Sequence, residues 1–222
     1  MNKVIIIAAH PDDETLGCGG TLLKHRNSGD QVHWLIATEM KKSDGFKKTI
    51  IEKRDAEINE VARLYNFDSV HRIDLSTMKV DEYSISNIIA KISRVINDVK
   101  PNIIYLPFKG DVHSDHRRIF EAAYSCTKSF RYPFIRKIYM FETISETEFS
   151  PSTKEDSFIP NTFVDISEFM EKKISIMRVY DSELGQHPFP RSERNIRAIA
   201  TFRGGTAGCE YAESFVLLKE IN

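Results

Sequence analysis

Cysteine is scarce: Cys18, Cys126 and Cys209 are the only three in 222 residues, and they lie far apart. An odd, scattered set excludes a disulfide scaffold and a thiolate zinc cluster, and fits reduced, buried thiols. An excess of charge is also missing. Lys and Arg total 31 against 32 Asp and Glu, a net charge of −1, so no basic face suits nucleic acid or anionic lipid, and neither is expected as a partner. No apolar run approaches the ~20 residues that span a bilayer. The first residues carry no cleavable signal pattern, and a cytoplasmic protein is expected. Repeats, low-complexity tracts and convincing linkers are absent. At this length one buried core is expected, so residues 1–222 are read as a single domain. No G-x-S-x-G elbow occurs, which argues against a serine hydrolase of that type.

What the chain does contain is an alternation of strand-like and helix-like patterns. Val4 to Ala9 is a continuous apolar run of the buried-strand type, and Gln31 to Thr38, Val70 to Leu75 and "NIIYLP" ending at Pro107 supply three more strands. Between them lie helical patterns over Thr15 to Ser28, around Ile51 to Tyr65, and over Ser84 to Val99. The last has a wide isoleucine and valine stripe that reads as core. Residues 39–48, "EMKKSDGFKK", form a polar loop and a candidate lid. A strand at Ile135 to Glu142, helices at Ser167 to Glu183 and Ser192 to Phe202, and a strand at Ser214 to Lys219 complete the pattern. The expected fold is α/β, a Rossmann-like, mostly parallel sheet flanked by helices.

Two dense polar clusters each follow the carboxyl end of a predicted strand. One is "AHPDDE", residues 9–14, and the other lies within "FKGDVHSDHRRIF", residues 108–120. Ligands of open α/β sheets bind in that crevice. Adjacent acids repel one another unless water or a cation relieves them, and two imidazoles with one carboxylate form a standard open zinc sphere. A dinucleotide loop is excluded although "LGCGG" follows the first cluster, because its turn is filled by anions that would repel a pyrophosphate.

The pairing of "AHPDDE" with "HSDH" a hundred residues later resembles the PIG-L/LmbE family of zinc-dependent N-deacetylases, and the similarity extends to "YDSELGQHPFPRS" and "RGGTAGCEYAESF" near the carboxyl end. The resemblance implies a Rossmann-like fold and removal of acetyl groups from N-acetylglucosamine-type substrates. It also implies that His10, Asp13 and His116 bind the metal and that Asp12 is the general base. His113 would stabilise the oxyanion as an imidazolium or act as general acid, with Asp115 orienting it. The implied ion is Zn2+, and another divalent ion such as Fe2+ fits the same ligands. Glu14 reads as a helix N-terminal carboxylate facing the macrodipole.

For the substrate, Arg54 matches an arginine that contacts hydroxyls in relatives. Asp111 stands where some relatives carry a tyrosine, and is counted with the substrate-facing residues. Arg191, stiffened by Pro188 and Pro190, and Arg203 before a glycine pair suit a phosphate or carboxylate. The structural alternative is that these arginines pair with nearby acids, Arg54 with Glu52 or Glu57, and the other two with Glu183, Glu193 or Glu213. The expected partner is a small amino sugar, free or linked to a nucleotide or lipid, and self-association is left open. Two rivals remain: a metallohydrolase of another N-acyl or phosphoester substrate, and a non-catalytic metal-dependent sugar- or nucleotide-binding module, which would not need Asp12.

Overall fold

Strand β1 (Lys3–Ala8) is buried from Val4 onward, because both of its faces are covered. Val4, Ile6 and Ala8 join one core, and Ile5, Ile7 and Ala9 join the other. Each such Val or Ile contributes about 1.5–3 kcal/mol. The computed structural model describes residues 1–222. The remaining strands are β2 (Gln31–Glu39), β3 (Ser69–Ser76), β4 (Ile103–Pro107), β5 (Lys137–Phe141), β6 (Thr162–Asp165) and β7 (Ala212–Glu220). They form one sheet in the order β3-β2-β1-β4-β5-β7-β6. The strands β1 to β5 pair in parallel, and β7 runs antiparallel between β5 and β6.

The helices are α1 (Asp13–Asn27), α2 (Lys48–Tyr65), α3 (Ile85–Val99), α4 (Ser114–Ser125), α5 (Met170–Met177) and α6 (Glu193–Ala207). The first sheet face packs on α1, α2, α5 and α6, and the second on α3 and α4. Helix α3 starts at Ser84, whose hydroxyl accepts the Asn87 N–H at 3.3 Å, and ends at Lys100 in a left-handed conformation before Pro101. In α1 the glycines permit close approach: a Cβ at Gly17 would lie 2.3 Å from Phe141, and one at Gly20 would lie 2.6 Å from Ile166.

Several expectations shift. Helix α1 begins at Asp13 rather than Thr15, which puts Asp13 and Glu14, two of the three acids of the first cluster, in its first turn and leaves Asp12 as its cap. The second cluster opens a full helix, α4, which the sequence shows only as a dense polar segment. Its apolar Ile119, Ala122 and Ala123 are buried at helical spacing. The expected helix ending at Glu183 stops at Met177, and β6 lies between Glu142 and Ser167, where no element is expected. Residues 39–48 hold one short 3-10 turn, Lys42–Asp44. They are tied down by Lys79 Nζ on Asp44 Oδ1 at 3.0 Å and by Lys41 Nζ on the Asp74 carbonyl at 2.7 Å. No helix is long and apolar enough to cross a membrane.

Candidate metal centre

The chain leaves β1 towards β2 on one side, and β4 lies on the other, so the crevice at the carboxyl ends of β1 and β4 is the switch point of the sheet. Both clusters meet there. His10 follows β1, Asp13 opens α1, and His116 sits in the first turn of α4. Between His10 and Asp13, Asp12 takes φ 131°, a conformation that costs a non-glycine residue about 1–3 kcal/mol. Such strain persists only where surrounding contacts enforce it.

Hydrogen bonding fixes the tautomers of the two histidines. His10 Nε2 lies 3.0 Å from Asp115 Oδ2, and His116 Nδ1 lies 2.8 Å from Asp111 Oδ2. A carboxylate only accepts, so both protons sit on those nitrogens, and lone pairs remain on His10 Nδ1 and His116 Nε2. Those two nitrogens face each other at 3.3 Å, and Asp13 approaches at 3.4 Å from His116 Nε2 and 4.0 Å from His10 Nδ1. Three acceptors converging in a buried site repel unless a cation or proton lies among them. A tetrahedral ion with bonds of about 2.0–2.1 Å holds its ligand atoms roughly 3.3–3.4 Å apart, so the set fits a divalent metal. A second grouping, His10, His113 and Asp115, also lies within ligand distance. It does not serve, because the Asp115 carboxylate already accepts the N–H groups of Met78 at 2.7 Å and Val80 at 3.1 Å besides the His10 ring.

The charges respond to this crowding. Burial raises the Asp12 carboxyl well above the usual range, the adjacent Asp13 adds to the rise, and the Arg191 guanidinium opposes it. Burial alone would raise Asp13 too, but His116 and His10 outweigh it and hold it far below the ordinary value. His116 is raised despite burial, by Asp13 and Asp111. Burial and the neighbouring His10 push His113 down to about 4. His113 Nδ1 accepts the Asp115 backbone N–H at 3.1 Å, so it is a neutral imidazole with its proton on Nε2, not an imidazolium.

The structure brings His10, Asp12, Asp13, His113, His116, Arg54 and Arg191 to one cleft of about 590 Å³. Residues Met40 to Lys42 and Phe46 of the candidate lid form part of its wall. Three expectations are corrected. Asp115 orients His10 through its carboxylate, and touches His113 only through its backbone N–H. Asp111 is fully buried, spent on His116 and on the Thr147 hydroxyl at 2.6 Å, and faces no substrate. Arg203 lies outside the cleft, locked bidentately on Glu142 at 2.9 and 2.7 Å. Glu142 was not among its expected partners.

Arg54 and Arg191 are also paired within the cleft. Arg54 donates to the Pro11 carbonyl at 3.0 Å and pairs with Glu183 and with Glu57 at 3.2 Å. Arg191 reaches Glu183 at 3.1 Å and Asp12 Oδ2 at 3.3 Å. Glu183 therefore joins the two arginines around the Asp12 loop. The Arg191–Glu183 pair is among the structural alternatives read from the sequence; the Arg54–Glu183 contact is not, and neither are Thr143 and Glu146, which line the cleft beyond β5. The strand-end rule that located the first two clusters applies equally to "ETISE" after β5.

A switch-point α/β sheet with a two-histidine, one-carboxylate centre defines a class of metal-site proteins. Residues 5–127 match the family model described as GlcNAc-PI de-N-acetylase, and the chain belongs to this PIG-L family. It is 28% identical to diacetylchitobiose deacetylase of Thermococcus kodakarensis, over 96% of this chain and 82% of that protein. The crystal structure of N,N'-diacetylchitobiose deacetylase from Pyrococcus horikoshii with its inhibitor superposes with a TM-score of 0.77 at 22% identity, covering 98% of this chain and 84% of that one. GalB, a 4-carboxy-2-hydroxymuconate hydratase of Pseudomonas putida, also has a TM-score of 0.77, at 17% identity over 100% and 98% of the two chains. The same fold thus carries unlike reactions, and activity must be argued from the site.

Proposed function

We propose that this protein is a metal-dependent N-deacetylase that hydrolyses the N-acetyl group of an N-acetylglucosamine-type sugar to acetate and a free amine. The observation that carries the reading is the convergence of His10 Nδ1, His116 Nε2 and Asp13 beside the buried carboxylate of Asp12. Membership of a de-N-acetylase family and the similarity to a diacetylchitobiose deacetylase support it.

His10, Asp13 and His116 would hold the ion; Zn2+ suits this donor set best, and Fe2+ fits it too. When bound, a divalent cation supplies Lewis acidity that polarises the acyl oxygen and acidifies the attacking water. Asp12, whose carboxyl burial raises above the ordinary carboxylate range, accepts the water proton as the new carbon–oxygen bond forms at the acetyl carbon. His113 Nε2–H donates to the oxygen that gains charge. Asp12 then returns the proton to the nitrogen as the carbon–nitrogen bond breaks. Arg54 and Arg191 line the cleft where sugar hydroxyls would lie, but both already have carboxylate partners. That pairing weakens the case for a phosphate-bearing substrate. Free cysteines support a reducing, cytoplasmic setting.

The test is acetate release from a panel of N-acetylated mono- and disaccharides, sugar nucleotides and N-acyl analogues, with the chain loaded separately with Zn2+ and Fe2+. Release from amino sugars alone is the expected result. Hydrolysis of phosphoesters without acetate release would favour the rival metallohydrolase.

A further inference from the structure

Glu14 has no part in the reaction above, yet its side chain is fully buried. It stands in the first turn of α1, as expected, and its contacts go beyond the helix dipole. Its Oε2 reaches back to accept the Asp12 N–H at 2.9 Å. Its Oε1 accepts the Thr15 hydroxyl at 2.7 Å and the Tyr180 hydroxyl at 3.1 Å, and the Tyr65 hydroxyl in turn donates to Thr15 Oγ1 at 3.1 Å. The Asp12 carbonyl is held as well, by the N–H groups of Thr15 at 3.0 Å and Leu16 at 2.9 Å. Both peptide groups that flank the strained Asp12 Cα are therefore fixed, one by the start of α1 and the other by Glu14.

We propose that Glu14 is a positioning residue: backed by Tyr180 and Thr15, its carboxylate holds the Asp12 main chain in the orientation that aims the Asp12 side chain at the His10–His116 centre. The proposal rests on the reading of Asp12 as the base. It assigns Tyr180 a purpose too, since this residue lies just past α5 and ties the carboxyl-terminal segment to the catalytic loop. A helix cap alone would need neither full burial nor a tyrosine from 166 residues away.

The experiment compares Glu14→Gln, which keeps an oxygen acceptor, with Glu14→Met, which keeps the length and loses it. In the metal-loaded chain Glu14→Gln retains most of its turnover, whereas Glu14→Met loses kcat on the order of 10²-fold, the effect of a displacement near 1 Å. KM and metal content stay unchanged in both. In the metal-free chain, hydrogen exchange at the Asp12 amide is slow in the wild type and Glu14→Gln, and fast in Glu14→Met. A folded, metal-replete Glu14→Met with wild-type kcat overturns the proposal. So does a Glu14→Gln variant as impaired as Glu14→Met while its Asp12 amide stays protected, because charge and not acceptance would then matter. Should Glu14→Met fail to fold, Tyr180→Phe decides: reduced kcat at full metal content supports the proposal, and wild-type kcat overturns it. Wild-type chain inactive on every amide defeats the reading of the site instead, and amide exchange alone then judges the contact.

Discussion

Histidine–aspartate pairs occur at both ends of the central strands, and they differ in what the second ring nitrogen meets. At the amino-terminal end, His25 binds Asp30 at 2.8 Å through Nδ1 and the Tyr105 hydroxyl at 3.0 Å through Nε2. Asp30 is completed by the Asn2 backbone and side chain. Every polar atom has a partner, so the cluster joins α1 to the sheet and has nothing left to offer a ligand. At the carboxyl-terminal end, His10 and His116 each spend one nitrogen on a carboxylate and turn the other to a common point with Asp13. Residue types are alike in the two places. What separates a structural pair from a candidate ligand is the partner of the remaining lone pair.

His116→Ala and His25→Ala should differ most. The first should lose bound metal and all measurable acetate release. The second should keep both and lose about 1–3 kcal/mol of stability in urea unfolding, because Asp30 and Tyr105 are left short of a partner. Undiminished metal in His116→Ala would erase the distinction. Next in size are Asp111→Asn and Asp115→Asn, where an amide still accepts from the ring N–H but the negative charge is gone. Metal affinity, measured by competition with a chelator, should weaken roughly 10- to 100-fold in each. The smallest effect is expected at the arginines. Arg191→Ala removes the cation beside Asp12 and should lower kcat about tenfold, equivalent to ~1.4 kcal/mol of barrier. Arg203→Ala should leave kcat and KM unchanged and reduce only thermal stability, since it frees Glu142 at a distance from the cleft.

Much of this was legible in the residues. The apolar run Val4 to Ala9, the isoleucine stripe of α3 and the Pro101 break announced their elements, because burial imposes those patterns directly. The clusters at the ends of β1 and β4 pointed to the crevice for the same reason. Helix α4 was hidden because its cap His113 and the Asp115 and His116 of its first turn are polar and mask the buried Ile119, Ala122 and Ala123 behind them. Strand β6 was hidden because three half-buried residues and one exposed one at a sheet edge leave no run to read. Partners were the least legible. Asp115 stands beside His113 in sequence but gives its carboxylate to His10, 105 residues away, and Glu183 binds Arg54 across 129 residues. Sequence spacing carries no record of which way a side chain points once two helices meet at a switch point.

Asp12→Asn, with metal content and acetate release measured on the same sample, separates the roles of the two adjacent aspartates. Asn cannot accept the water proton but leaves His10, Asp13 and His116 intact. The account predicts full metal occupancy with turnover reduced by about 10²- to 10⁴-fold. Metal lost in parallel with activity would make Asp12 a ligand, and activity retained at full metal content would remove it from the reaction.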